Sequence, residues 1–148
     1  MRIVRWLVLV ATICWAEAAF GTWKMNAARS TFAGDGQPRI FTVRIAPHVK
    51  GEVFTIDRTE ADGRATSSST ILYLDGTPRD FQDFGCTGTQ SSRRVDGRTV
   101  EILRHCASGK SNRLVRRLAA QPNELILDIT EQHPDGRRFE RHLVFEKQ

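Results

Sequence analysis

The stretch Phe20-Gly21-Thr22-Trp23-Lys24-Met25 has the composition of a short β-strand, and the segments that follow it have strand composition too. The last of these segments, residues 139–147, is apolar along one face and needs a partner strand. The opening stretch is the free edge available to it. Pairing the two ends of the chain covers both edges and closes the sheet. We therefore predict an all-β fold in which the first and last strands lie side by side.

Five Asp-Gly pairs separate the predicted strands. This dipeptide is a strong hairpin signal, because the tight turn needs a positive φ that glycine adopts without steric cost. The five pairs are Asp35-Gly36, Asp62-Gly63, Asp75-Gly76, Asp96-Gly97 and Asp135-Gly136.

The segments between the turns alternate as half-buried strands do, most clearly in residues 39–46, where Phe41, Val43 and Ile45 share one face. About nine strands at this spacing form a sandwich or a barrel. Because the two ends can pair, we favour a closed antiparallel up-and-down β-barrel of eight to ten strands. The other predicted strands are residues 50–60, 64–74, 86–94, 99–107, 111–119, 124–132 and 137–146, with 77–84 as a short strand or a connection.

The first 18 residues have the three parts of a secretory signal peptide. Met1-Arg2-Ile3-Val4-Arg5 is basic, residues 6–15 are almost entirely apolar, and Ala16-Glu17-Ala18 is a small-x-small cleavage site. The apolar run is shorter than the roughly 20 residues that a membrane-spanning helix requires. We expect cleavage there, a secreted or periplasmic location without stable membrane insertion, and a single domain over residues 19–148. The alternatives are a retained membrane anchor and lipidation at Cys14.

Basic and acidic residues are interleaved along the chain. It contains 22 lysines and arginines and 17 aspartates and glutamates, which gives a formal charge of +5. No run of five like charges occurs, so the sequence does not predict a nucleic-acid-binding surface. The pattern indicates a solvated sheet face, with weak attraction to an anionic cell surface as the alternative.

Gly21-Thr22-Trp23 resembles the G-x-W motif in the first strand of the calycins, which include the lipocalins and the fatty-acid-binding proteins. Residues 112–118, 123–127 and 144–147 resemble the C-terminal end of a fatty-acid-binding protein. The chain after residue 18 is also similar to small secreted bacterial lipocalin-like proteins. The resemblance implies a barrel that carries one apolar ligand, with Gly21 and Trp23 in structural roles.

The fatty-acid-binding proteins bind the ligand carboxylate with two arginines and a tyrosine of their late strands. By resemblance, Arg116 occupies the position of the first arginine, whereas Leu143 and Phe145 occupy those of the second arginine and the tyrosine. Arg141 lies two residues before Leu143, on the same face, and is a candidate substitute. The resemblance also implies a structural role for Arg141. In lipocalins a late-strand arginine stacks on the tryptophan of the G-x-W motif, which is Trp23 here.

Alternation along the strands independently places Arg116 and Arg141 among the candidates for the barrel interior, since both share a face with leucines two residues away. A buried, unpaired guanidinium is costly, so each needs a carboxylate, a ligand anion or water. Both arginines are therefore candidate ligand-binding residues. For Arg141, stacking on the tryptophan is the first structural role, with an anion contact and outward solvation as the alternatives.

Small side chains dominate both faces of residues 65–70 and 87–92. A barrel wall built from them is thinly filled, and its hydroxyl groups favour a wet cavity. The alternatives are that the barrel flattens there or that these strands lie outside the closed sheet. Tyr73, beside the first segment, is a candidate ligand-contacting hydroxyl or a packing aromatic residue.

Cys86 and Cys106 are the two cysteines that follow residue 18, and in an oxidising compartment we expect them to form a disulfide. The hairpin register supports this pair. If residues 95–97 form a three-residue loop with Gly97 left-handed, the register places the two cysteines directly opposite each other. A two-residue loop places them on opposite faces.

No motif in the sequence indicates catalysis or metal binding. Gly109-Lys110-Ser111 lacks the earlier glycine of a phosphate-binding loop, and no G-x-S-x-G motif occurs. The four histidines lack metal-ligand spacing. We therefore expect no enzyme activity, no cofactor and no metal.

Three hypotheses for the function follow. The leading one is a secreted or periplasmic binding protein that holds a small hydrophobic or amphipathic molecule inside the barrel, with Arg116 and Arg141 neutralising an anionic end. The alternative is a non-enzymatic interaction module with a filled barrel, which binds another protein or the cell envelope. The third, a barrel enzyme, requires a histidine or carboxylate that points into the cavity.

Overall fold

A computed structural model describes residues 18–33, 36–83, 85–121 and 123–148. The predicted signal peptide lies almost wholly outside the described residues, so its cleavage stays a prediction. The described part of the chain forms one sheet of ten antiparallel strands, with a short 3-10 helix, Ala27–Arg29, after the first. The strands are β1 (Gly21–Met25), β2 (Ile40–His48), β3 (Gly51–Thr59), β4 (Ala65–Leu72), β5 (Arg79–Asp83), β6 (Cys86–Arg94), β7 (Thr99–Cys106), β8 (Ser111–Leu118), β9 (Glu124–Gln132) and β10 (Arg138–Lys147).

Strand β1 lies between β2 and β10, so the two ends of the chain are neighbours in the sheet. Trp23 faces Lys147 and Met25 faces Phe145 across this contact. The predicted pairing of the first and last strands is confirmed, and the fold is an up-and-down barrel.

The barrel is nearly rather than fully closed, because the strand order begins at β4 and ends at β5. Our expectation of a sheet without free edges needs this correction: β1 and β10 are covered, whereas β4 and β5 face each other across a seam. The connection between them partly covers this seam. The backbone N–H of Leu74 donates to Ser92 Oγ at 3.0 Å, and that of Gly76 donates to the Ser92 carbonyl at 2.7 Å.

Alternation determines which side chains fill the barrel. On β2, Phe41, Val43 and Ile45 are buried, as predicted. Trp23 is fully buried, and its Nε1 atom donates a hydrogen bond to the Ala19 carbonyl at 2.9 Å, which closes one end of the barrel. The same core cluster contains Phe54, Ile56, Leu72, Val100, Ile102, Leu114, Leu118, Leu125, Leu127, Leu143 and Phe145.

Glycines occupy the left-handed positions of three predicted turns. Gly63, Gly76 and Gly136 have φ values of 86°, 74° and 90°. Their turns join β3 to β4, β4 to β5 and β9 to β10. The prediction fails at Gly97, which has no positive φ. Asp35, in the first Asp-Gly pair, lies outside the described residues.

The predicted disulfide joins Cys86 to Cys106, with their Cα atoms 5.0 Å apart. The register that we used to predict it is wrong by two residues. The hairpin closes where the Val95 N–H donates to the Thr99 carbonyl at 2.9 Å, so the loop is residues 96–98 instead of 95–97. The loop still has three residues, and the two cysteines therefore remain on one face.

Because of this shift, Cys106 faces Gly88, and the disulfide runs diagonally to Cys86. The two strands approach each other closely here. A Cβ atom at position 88 would lie 1.9 Å from the carbonyl oxygen of His105, which explains why this position of β6 needs a glycine.

Candidate ligand-binding site

A cavity of about 310 Å³ lies inside the barrel, at the end opposite Trp23. We call it the mouth cavity. Side chains from six strands line it, and most of them point inward because they alternate with outward-facing neighbours. Its apolar surface is formed by Phe32, Phe41, Ile56, Leu114, Ile129 and Leu143. Its volume lies at the small end of the range found for ligand sites.

Four cationic side chains and one carboxylate surround this apolar surface: Arg58, Arg104, Lys110, Arg141 and Glu131. The guanidinium of Arg58 lies 5.4 Å from the centre of the Phe41 ring. Arg141 Nη1 lies 3.7 Å from Glu131 Oε2, and the other oxygen of Glu131 lies 2.5 Å from His133 Nε2. Arg58 is also ion-paired, because Glu60 Oε1 lies 3.0 Å from its Nε atom. Among the side chains that line the mouth cavity, cations outnumber carboxylates around an apolar interior.

Arg104 is the most deeply placed of these cations, with 5 % of its surface exposed. Its Nε atom donates to Gln90 Oε1 at 2.9 Å, and its guanidinium lies 4.6 Å from the centre of the Phe81 ring. Burial lowers the pKa of Arg104 to about 10, although the charge of Asp83 opposes the shift. The side chain therefore remains a cation at neutral pH.

Asn112 adds a polar group to the mouth cavity. Its Oδ1 atom is buried and accepts no hydrogen bond from the described residues. Buried acceptors in folded proteins are nearly always hydrogen-bonded, to protein, water or ligand. The cavity thus offers an acceptor, from Asn112, beside its cationic donors.

Arg141 lines this cavity, as its predicted role requires, but it does not stack on Trp23. The register places Lys147 opposite Trp23, six residues beyond Arg141 and therefore roughly 20 Å along β10. The cation over the tryptophan is Lys147, whose Nζ atom lies 5.5 Å from the ring centre. The stacking alternative for Arg141 is therefore wrong.

Arg116 is inside the barrel, as alternation predicted, but outside the mouth cavity. It is 2 % exposed, and its Nη2 atom donates to Glu52 Oε2 at 2.7 Å. The partner of Arg116 in the structure is thus the Glu52 carboxylate, and the role of Arg116 as a ligand contact stays a prediction. The same alternation places Glu52 on the inner face, which it shares with Phe54 and Ile56. Arg58, two residues beyond Ile56, faces inward by the same pattern and is absent from the predicted site residues.

Tyr73 lies away from the mouth cavity, at the seam between β4 and β5. It lines a second cavity of about 420 Å³, together with residues of both unpaired edges. The guanidinium of Arg79 lies 3.8 Å from the centre of its ring and is held by Asp75 at 2.7 Å. Tyr73 thus forms part of the seam wall, and its role as a ligand contact stays a prediction.

The small-residue segments, residues 65–70 and 87–92, lie within β4 and β6, and both strands belong to the sheet. On their inward faces Ser68 and Ser92 are buried. Gln90 Nε2 donates to Thr70 Oγ1 at 3.0 Å, which joins the two segments across the seam. Both segments line the seam cavity, through Ser69, Thr70, Gln90 and Ser92, whereas the mouth cavity lies against other strands.

Within the described part of the chain, no three or more histidine, cysteine, aspartate or glutamate side chains cluster as metal ligands. None of the helices in the same part of the chain has the length and apolar composition needed to cross a membrane.

Sequence comparison finds no matching family model and no matching curated protein. Structure comparison matches the fatty acid binding protein of Schistosoma mansoni in complex with arachidonic acid, with a TM-score of 0.57 and 11% identity over 90% of this chain and 98% of that one. It also matches the zebrafish ileal bile acid-binding protein complexed with cholic acid, with a TM-score of 0.54 and 13% identity over 88% of this chain and 99% of that one. At these identities the likeness shows the fold, and the predicted resemblance to the calycins is confirmed at that level.

Proposed function

We propose that the protein binds a small amphipathic molecule with an acidic end in the mouth cavity. The observation that carries this proposal is the combination of an apolar interior with four cations and one carboxylate around it. The apolar part of the ligand packs against Leu114 and Leu143, and its acidic end binds at Arg58 and Arg141. The two structurally similar proteins, which were solved with arachidonic acid and cholic acid, support a binding role rather than a catalytic one.

The size of the cavity limits the ligand. Its volume of about 310 Å³ is twice that of an engineered cavity of about 150 Å³ that holds benzene. A ligand on the order of ten to twelve heavy atoms therefore fits, which suggests decanoate as an acidic probe and decanol as its neutral counterpart. We expect decanoate to bind more tightly, by about tenfold, because charge-assisted hydrogen bonds to arginine contribute more than neutral ones.

Two matched pairs of variants test the site by isothermal titration calorimetry. Ile129→Trp fills the cavity and should abolish binding of both probes, whereas Thr130→Trp, on the adjacent outward-facing position of β9, should leave it unchanged. Arg141→Gln should weaken decanoate but not decanol, and the exposed Arg138→Gln on the same strand should affect neither. Absence of binding by the unmodified protein, or full binding by Ile129→Trp, contradicts the proposal.

The competing hypothesis of a filled barrel applies to only half of the interior. Side chains fill the end near Trp23, and the mouth cavity occupies the other end. If neither probe binds, an interaction module becomes the better explanation.

We also propose that the protein works outside the cytoplasm, in the periplasm or secreted. The signal-peptide pattern of the first 18 residues and the disulfide between Cys86 and Cys106 support this location. N-terminal sequencing of the protein recovered from each cell fraction tests it. A cytoplasmic protein that retains its first residues contradicts the proposal.

A further inference from the structure

An ion pair crosses the filled half of the barrel interior. Glu52 on β3 and Arg116 on β8 are each 2 % exposed, and they are joined by the hydrogen bond of 2.7 Å described above. Strands β2, β1, β10 and β9 lie between β3 and β8 in the sheet. The contact therefore spans the interior instead of linking adjacent strands.

A second guanidinium completes this cluster. Arg94 on β6 donates through Nη2 to the other oxygen of Glu52 at 3.2 Å. Burial lowers the pKa of Arg116, the charge and hydrogen bond of Glu52 oppose this shift, and the charge of Arg94 adds to it. Two cations thus surround one anion, and the Nη1 atom of Arg116 is buried without a hydrogen-bond partner among the described residues. The two arginines form an anion site that the Glu52 carboxylate fills.

The outer face of the barrel provides a matched comparison. Glu101 is also held between two arginines, Arg93 and Arg113, whose Nε atoms each donate to it at 2.8 Å. These two arginine side chains are 60% and 56% exposed, whereas that of Arg116 is 3% exposed. Water can therefore solvate the outer arginines if their carboxylate is lost, but it cannot solvate Arg116 in the same way.

We infer that Glu52 determines which ligands the barrel accepts. Its carboxylate occupies the anion site of Arg94 and Arg116, and so excludes acidic groups from the filled half of the interior. An acidic ligand consequently binds with its acid group at the mouth and its apolar end towards Leu143. This orientation rests on the proposed function, whereas the anion site itself does not.

Chemical rescue tests the anion site. Glu52→Ala removes the carboxylate and leaves space of about the size of acetate beside Arg94 and Arg116. We expect the variant to have a lower midpoint of thermal unfolding than the unmodified protein. Sodium acetate should raise that midpoint by about 3–6 °C over sodium chloride at equal ionic strength, because acetate binds the folded state.

Glu101→Ala is the matched control, and acetate should not raise its midpoint above that in chloride. Equal effects of acetate on both variants, or no effect on Glu52→Ala, overturn the inference. If Glu52→Ala does not fold, a double variant decides. Glu52→Leu with Arg116→Met replaces the pair by apolar side chains, which is often neutral or stabilising. It should fold and show no acetate effect, and a midpoint that rises in acetate over chloride there contradicts the anion site.

The ligand orientation is tested with the unmodified protein and isotope-labelled decanoate. Nuclear Overhauser effects should connect the terminal methyl group to Leu114 and Leu143, and the methylene group next to the carboxylate to Arg58 or Arg141. The reverse pattern overturns the inferred orientation. Absence of decanoate binding instead refutes the proposed function, and the acetate experiment still stands as the test of the anion site.

Discussion

Trp23 and Lys147 face each other across β1 and β10, and the ammonium group of Lys147 lies 5.5 Å from the centre of the Trp23 ring. The indole N–H of Trp23 is satisfied by the Ala19 carbonyl. Residues from the first and last strands and Ala19 thus close the barrel together. Among the described residues, no comparable contact closes the opposite end, where the mouth cavity lies.

Replacing Trp23 should weaken this closure. Trp23→Phe removes the indole hydrogen bond and part of the buried ring, and we expect a loss of about 1–3 kcal/mol in the free energy of unfolding. Lys147→Met keeps the aliphatic stem and should cost about 0.5–1 kcal/mol or less, as exposed cation–π contacts do. Urea denaturation followed by far-ultraviolet circular dichroism measures both. A Trp23→Phe variant as stable as the unmodified protein contradicts the closing role.

Removing the disulfide should destabilise the β6–β7 hairpin. Cys86 and Cys106 are 20 positions apart, and in the chain-entropy description closing a loop of this length contributes about 3 kcal/mol. We expect the double variant Cys86→Ser, Cys106→Ser to lose stability by about that amount in urea denaturation. Reductant should lower the stability of the unmodified protein to the same level and leave the variant unaffected. Equal stability with and without reductant rules out this contribution.

Glu101 should make stability depend on pH. The hydrogen bond from Arg93 lowers the pKa of Glu101 below its ordinary value of 4.5; burial opposes the shift, and Arg113 adds to it. Because the folded state holds the carboxylate at a depressed pKa, the stabilisation is fully present above pH 4.5 and is lost as the pH falls through the folded value.

The expected effect of Glu101→Gln is a loss of about 1–3 kcal/mol at pH 7, and the difference from the unmodified protein should shrink below pH 4.5. Urea denaturation between pH 3 and pH 7 measures it. The exposed Glu140→Gln serves as the control and should show almost no difference at any pH. A Glu101→Gln difference that persists undiminished at pH 3 refutes the assignment.

The architecture could be predicted because it depends on local patterns that every hairpin repeats. Alternation at Phe41, Val43 and Ile45 identified the inner face of β2, and the free first and last strands indicated their pairing. The disulfide could be predicted because a three-residue loop keeps Cys86 and Cys106 on one face. Its register could not, because shifting the loop by one residue leaves that parity unchanged.

The site was harder to predict, because it depends on contacts across the barrel. Alternation showed that Arg116 points inward, but no local pattern specifies which carboxylate on the opposite wall it meets. Glu52 lies 64 residues earlier in the chain. Arg58 and Arg104 lie on inward-facing positions that alternation identifies, and only the packed barrel shows that they meet Arg141 around one cavity.

The seam between β4 and β5 allows the circumference of the barrel to change. A closed barrel, in which backbone hydrogen bonds join every pair of neighbouring strands, can widen only if some of those bonds break. Across this seam the side-chain hydrogen bond from Gln90 to Thr70 joins β6 to β4, and the backbone bond from Gly76 to Ser92 holds the connection between β4 and β5. The edges of β4 and β5 can therefore separate without the loss of a hydrogen bond that pairs either strand with its neighbour in the sheet. Widening at this point would enlarge the seam cavity that Tyr73 lines, while the end closed by Trp23 keeps its shape.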